Sequence, residues 1–102
     1  MGNRRPKLSE YVVVQRGYRV TGRVQGVFFR AWTRDTALRL GLGGTVRNLP
    51  DGSVMVHLVG PVSSVERMEA SLWKGPPASR VEGVDGVDSH DPMRADSFEI
   101  LY

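Results

Sequence analysis

The chain has 102 residues, 40% of them hydrophobic and 25% charged, which fits one soluble domain built on one hydrophobic core. Cysteine is absent and only two histidines are present, so disulfides, thiolate metal sites and cysteine nucleophiles are excluded, and a structural zinc site is not expected. The first residues carry no apolar stretch of signal-peptide or membrane-span length. We therefore expect a cytoplasmic protein that does not bind membranes.

Positive charge is concentrated at the start of the chain. The net charge is +3, and residues 1–23 contain six basic side chains against Glu10 alone. This asymmetry favours an anionic ligand near the first part of the chain. The opening residues are polar and basic without periodicity, so we expect a flexible basic extension over residues 1–15 and a single domain over residues 16–102.

The first half of the chain predicts a strand, a glycine loop and a helix. Tyr11–Arg23 is rich in β-branched and aromatic residues, which favours one strand or two short strands broken near Gly17. Two glycines in residues 22–26 mark a loop. Apolar residues recur with helical spacing over Phe29–Leu40, and Gly41 is a natural end for that helix.

The second half predicts a hairpin, a second helix and further strands. Two apolar runs, Gly44–Asn48 and Ser53–Val59, flank a Pro-Asp-Gly turn. Ser63–Glu66 fits a capping box that opens a helix, on which Val65, Met68 and Leu72 form an apolar stripe. Strands are expected over 79–88 and 96–102. The order β-α-β-β-α-β predicts a ferredoxin-like α+β sandwich, with two helices on one face of an antiparallel sheet and room for an extra strand near the end.

Residues 22–30 run from a strand end through a glycine loop into the start of a helix. Free backbone N–H groups and the positive end of the helix dipole meet there, so a phosphate is a natural ligand. Arg30 lies at the first helical turn, where a cation opposes the dipole but can bind two phosphate oxygens. From spacing alone, an anion site and a surface arginine paired with a carboxylate explain it equally well. The loop matches neither a nucleotide P-loop nor G-x-G-x-x-G.

Two motifs carry a resemblance to a known family. The stretch Gly22-Arg23-Val24-Gln25-Gly26-Val27-Phe28-Phe29-Arg30 closely resembles the first acylphosphatase signature. Val46-Arg47-Asn48, followed by Gly52, Val54 and Gly60, resembles the second, and the resemblance covers residues 16–102. One departure is Thr45, where the family usually carries a large aromatic residue. That substitution questions the local packing or the geometry of the strand edge, not the chemistry.

The resemblance implies a role for individual residues. Arg30 corresponds to the catalytic arginine that binds the phosphate, and Asn48 to the asparagine that holds the attacking water. The phosphate cradle corresponds to the backbone amides of Gln25, Gly26, Val27, Phe28, Phe29 and Arg30. Without the resemblance, Asn48 would be assigned to the turn at Pro50-Asp51-Gly52.

Acyl phosphate hydrolysis is chemically consistent with so few groups. The leaving carboxylate has a conjugate acid with a pKa of about 4, so no general acid is needed at neutral pH. Charge neutralisation and a positioned water suffice, and an oxygen of the substrate phosphate can take the proton, because an asparagine is not a strong base. We expect no metal and no cofactor, a small acyl phosphate and inorganic phosphate as ligands, and a monomer.

Three alternatives remain. A ferredoxin-like, basic chain can be a module that binds single-stranded RNA, although the aromatic strand motif of such modules is absent. It can also be a non-catalytic anion-binding module. The third alternative is a carbamoyl-phosphate-handling domain of a larger maturation enzyme, although the zinc-finger cysteines of those enzymes are missing here.

Overall fold

The computed structural model describes residues 12–102. Five strands and two helices follow one another in the order β-α-β-β-α-β-β. Their bounds are β1 Val13–Arg23, α1 Phe29–Arg39, β2 Gly43–Asn48, β3 Val54–Pro61, α2 Val62–Lys74, β4 Arg80–Val87 and β5 Phe98–Leu101. In the described part of the chain, no helix is long and apolar enough to cross a membrane.

The strands form one sheet in the order β4-β1-β3-β2-β5. The pairs β1–β3, β1–β4 and β2–β3 are antiparallel, whereas β5 lies parallel to β2 with Val46 opposite Ile100. The expected ferredoxin-like α+β fold is confirmed, but the sheet is mixed and not wholly antiparallel. The cause is the connection between Val87 and Phe98, which carries the chain from one edge of the sheet to the other.

Both helices pack on the same face of the sheet and close the core. Alternate residues of β3, Val54, Val56 and Leu58, are fully buried under them. The buried side chains of α1 are Phe29, Thr33, Thr36 and Ala37, and those of α2 are Val65, Met68 and Leu72. These are the apolar stripes that the sequence predicts for the two helices, so the helical faces are confirmed.

The first strand is continuous across Gly17 and begins at Val13, so residues 13–15 of the expected extension pair with β3. Residues 1–11 lie outside the described part of the chain, and the flexible extension stays a prediction for them. At β2, Thr45 pairs with His57 of β3 and Glu99 of β5, so the threonine does not interrupt the strand.

The expected capping box at the start of α2 is wrong. The helix begins at Val62 with Pro61 as its N-cap, and no side chain caps it. Because the proline has φ −56° and ψ 136°, it starts the helix directly after β3. Ser63 is therefore already a helical residue and cannot serve as the N-cap.

Candidate active site

A cavity of about 290 Å³ lies between the start of α1 and the ends of β2 and β5. It brings together five of the residues that the sequence singles out: Gly26, Phe28, Phe29, Arg30 and Asn48. The other lining residues are Val24, Ala31, Ile100 and Tyr102. Gln25 and Val27 do not line it, and the side chain of Val27 is buried in the core.

An irregularity in the sheet lies near the end of β1, just before the loop that lines the cavity. The pairing of β1 with β4 shifts register between Thr21 and Gly22. A Cβ atom on Gly22 would lie 2.1 Å from the carbonyl oxygen of Arg80, and the φ of this glycine is 116°. Only glycine allows this close approach in that conformation, so the first glycine of the motif lets the strand turn into the loop.

Two residues of the loop adopt left-handed backbone conformations, Gly26 with φ 72° and Phe28 with φ 63°. A Cβ on Gly26 would meet nothing within 4 Å, so this glycine is needed for its conformation and not for space. Alternation of left- and right-handed residues turns successive N–H groups toward one side, which forms an anion-binding concavity. For Phe28 the left-handed conformation costs about 1–2 kcal/mol, since the residue has a Cβ.

The start of α1 lacks the features that normally stabilise a helix N-terminus. Phe28 is the N-cap and makes no side-chain cap, and the first turn holds no acidic residue. The first intrahelical bond runs from the N–H of Trp32 to the carbonyl of Phe28 at 3.0 Å, so the earlier N–H groups have no intrahelical acceptor. Bound phosphate would satisfy these donors and complement the helix dipole.

Arg30 lies in this first turn and lines the cavity. Among residues 12–102, no carboxylate lies within ion-pair distance of it. The guanidinium contacts the ring of Tyr102, whose centroid is 4.9 Å from the guanidinium carbon. The alternative of a surface arginine paired with a carboxylate therefore finds no support, and the guanidinium is available to an anion in the cavity.

Asn48 ends β2 and lies on the same face of the sheet as the buried Val46, two residues earlier. Its Oδ1 atom is buried and has no hydrogen-bond partner in the described part of the chain. The following turn is held by other groups: the carboxylate of Asp51 accepts from the N–H of Ser53 at 2.9 Å, and also binds Arg19. Hydrogen bonds from Ser53 and Arg19 hold the pKa of the Asp51 carboxyl well below its ordinary value.

Gln25 has a role that the sequence did not reveal. Its Nε2 atom donates to the backbone carbonyls of Leu49 and Ser53, both at 2.8 Å. The side chain thus ties the loop before α1 to the turn that follows Asn48. No local sequence pattern reports these bonds, because the partners lie 24 and 28 residues away.

Tyr102 and Ile100 are cavity residues that sequence reasoning also missed. Ile100 follows the buried Phe98 at an interval of two residues, which places both on one face of β5, and Tyr102 directly follows the end of that strand. The pairing of β5 with β2 ends at Arg47 and Leu101, one residue before Asn48 and Tyr102, and these two residues line the same cavity. The sequence signal that could have revealed these two residues is the two-residue alternation of side chains along residues 98–102.

Comparison with known proteins agrees with this geometry. The acylphosphatase family model matches residues 16–100. An acylphosphatase of Chromohalobacter salexigens is 59% identical over 73 residues, covering 72% of this chain and 81% of that protein. One of Rhizobium meliloti is 49% identical over 82 residues, covering 80% and 86%. The crystal structure of acylphosphatase from Bacillus subtilis has a TM-score of 0.80 at 31% identity, covering 89% of this chain and 100% of that one. This chain therefore belongs to the acylphosphatase family.

Proposed function

We propose that this chain hydrolyses acyl phosphates to a carboxylate and inorganic phosphate, with Arg30 and the loop amides holding the phosphoryl group and Asn48 positioning the attacking water. One observation carries this assignment. A single cavity is lined by Asn48, by the uncapped start of α1 and by Arg30, whose guanidinium has no ion pair among residues 12–102. The guanidinium and the helix start can bind an anion, and the side-chain amide of Asn48 can hold a water.

The proposed reaction is a displacement at phosphorus. The oxygen of a water held by Asn48 attacks the phosphorus atom, and the bond between phosphorus and the acyl oxygen breaks. The acyl group leaves as a carboxylate, which needs no proton at neutral pH because its conjugate acid has a pKa of about 4. The proton of the attacking water passes to a phosphate oxygen of the substrate. Arg30 and the backbone donors stabilise the negative charge on the equatorial oxygens.

Gln25 supports this arrangement as a positioning residue. The cradle comes from the loop and the start of α1, whereas Asn48 comes from β2, so their relative placement depends on how the loop is held. The two hydrogen bonds from Gln25 to the turn after Asn48 fix that placement directly. The amides of Gln25 and Val27 remain proposed members of the cradle, although neither residue lines the cavity.

The direct test is release of inorganic phosphate from benzoyl phosphate, measured with and without excess EDTA. We expect turnover in both conditions, since no group of three or more potential metal ligands occurs among residues 12–102. Arg30→Gln should abolish turnover. Arg34→Gln is the matched control, because Arg34 lies on the same helix, bonds Asp35 and does not line the cavity. Absence of turnover by the unaltered protein would refute the proposed function.

The RNA-binding alternative is not favoured, and neither is a silent anion binder. The cavity lies between α1 and the sheet, not on the open face that an RNA-binding sheet of this fold would use. We propose a monomer that works in the cytoplasm without a nucleic-acid partner. The lack of cysteine supports the intracellular assignment, since small exported domains depend on disulfides.

A further inference from the structure

We propose that the side chains of Phe28 and Tyr102 form an aromatic subsite for the acyl group of the substrate, so that flat, apolar acyl groups are preferred over small or charged ones. The inference rests on the proposed function, because it takes the phosphoryl group to lie at Arg30 and the first turn of α1. It adds a substrate class to that function, which the phosphate cradle alone does not specify.

The ring of Phe28 lies where it cannot stabilise the core. The residue is 85% exposed and lines the cavity. Its left-handed backbone conformation disfavours a bulky side chain, and glycine or asparagine would adopt it at lower cost. The residue is also the N-cap of α1, a position that favours small polar side chains. Neither packing nor backbone preference explains a phenylalanine here, so we infer that its ring contacts something outside the fold.

Tyr102 supplies a second aromatic surface to the same cavity. The residue is fully exposed, and its ring centroid lies 4.9 Å from the guanidinium carbon of Arg30. This distance is a cation–π contact, so the ring lies directly beside the group that holds the phosphate. An acyl group bonded to that phosphate must leave the cradle toward the open side of the cavity, within reach of the ring.

The remaining lining matches an apolar acyl group. Val24, Ala31 and Ile100 line the cavity, and Arg30 is the one charged residue among the lining residues of the described chain. Because Arg30 is engaged by the phosphate, no charged side chain is left for a charged acyl group. The volume of about 290 Å³ lies near the lower end of the range for small-molecule pockets, about 300–1,000 Å³. A compact group such as a benzoyl ring fits this description.

The test compares kcat/KM for benzoyl, acetyl and succinyl phosphate. For the unaltered protein we expect benzoyl phosphate to be preferred over both others. In Phe28→Ala and in Tyr102→Ala, the benzoyl-to-acetyl ratio should fall about two- to tenfold, which is the usual range for losing one aromatic pair. Phe28→Tyr and Tyr102→Phe should keep the ratio. Leu38→Ala is the matched control, because Leu38 is a 49% exposed apolar residue of α1 outside the cavity.

Inorganic phosphate separates the subsite from the cradle, because it has no acyl group. Its inhibition constant should change much less than the kinetic ratio in both alanine variants. An unchanged ratio in variants that circular dichroism shows to be folded would overturn the proposal, as would a parallel loss of phosphate affinity. Phe28→Leu keeps apolar bulk without a ring and provides a second variant should the alanine variant not fold. Failure of the unaltered protein to hydrolyse any of the three substrates would overturn the proposed function itself.

Discussion

Replacing Asn48 with alanine separates catalysis from stability, because kcat should fall while the free energy of unfolding stays unchanged or rises. In the structure the Oδ1 atom of Asn48 is buried without a hydrogen-bond partner among residues 12–102. A buried, unsatisfied polar group costs the folded state about 1–3 kcal/mol. Its removal should therefore leave the free energy of unfolding unchanged or raise it by up to about 2 kcal/mol, after some loss of packing. For a domain of this size, 1 kcal/mol corresponds to a Tm shift of about 4–8 °C.

Catalysis by the same variant should fall sharply. If the side-chain amide of Asn48 orients the attacking water, kcat should fall by about 10²–10³, which is the range for removing one oriented hydrogen-bonding group from an active site. Inhibition by inorganic phosphate should stay nearly unchanged, because Asn48 contacts the nucleophile and not the phosphoryl group. Thr45→Ala is the control, since Thr45 lies on the same strand but on the opposite face of the sheet.

The assay measures Tm by circular dichroism and kcat with benzoyl phosphate on one purified sample. The view of Asn48 as a turn residue predicts the reverse pattern, with a lower Tm and normal turnover per folded molecule. That view is already weakened by the turn itself, whose hydrogen bonds come from Asp51 and the backbone of Leu49. A variant that melts several degrees lower yet turns over normally would refute the water-positioning role.

Three further predictions test the neighbouring groups. In Arg30→Gln, the affinity for inorganic phosphate measured by calorimetry should fall at least tenfold. The Tm should change by less than about 4 °C, because Arg30 has no ion pair in the described chain. An unchanged affinity would contradict the role of Arg30 in binding phosphate. Gln25→Ala should lower the free energy of unfolding in urea by about 1–3 kcal/mol and lower kcat/KM as well. Gln15→Ala, which removes similar bonds to Ser89 and Asp91, should reduce stability alone. Burial holds the pKa of His57 below its ordinary value of 6.5 in the folded protein. As pH falls below 6.5, the unfolded chain is protonated at His57 more readily than the folded protein, so Tm should decline. His57→Gln should flatten this decline, and an identical Tm profile would show that His57 does not cause it.

The parts of the site that could be predicted from the sequence are those that local patterns encode. Glycine positions, helical spacing and the two motifs placed Arg30 and Asn48 at the ends of adjoining elements, and the structure brings both into one cavity. The buried stripes of α1 and α2 follow from spacing in the same way. In each case a few neighbouring residues determine the conformation, so the sequence contains the necessary information.

The parts that escaped prediction depend on distant pairing or on backbone conformation. The position of β5 rests on contacts such as Val46 with Ile100, and nothing near residue 100 specifies which edge of the sheet it joins. The bonds of Gln25 depend on a turn that forms more than twenty residues later. The left-handed conformation of Phe28 was hidden because the residue is not glycine, which is the usual marker of such a position.

The departures from ordinary stabilising chemistry are concentrated in one place. Phe28 occupies a left-handed N-cap position, Arg30 puts a cation at the positive end of α1, and Asn48 buries an oxygen without a partner among residues 12–102. Each feature is unfavourable in the free protein, and each lines the same cavity. Local rules are broken where the proposed site lies, since a bound phosphate would satisfy the free N–H groups and neutralise Arg30. The rest of the domain compensates, because the core beneath the cavity is fully buried at Val46, Val54 and Val56.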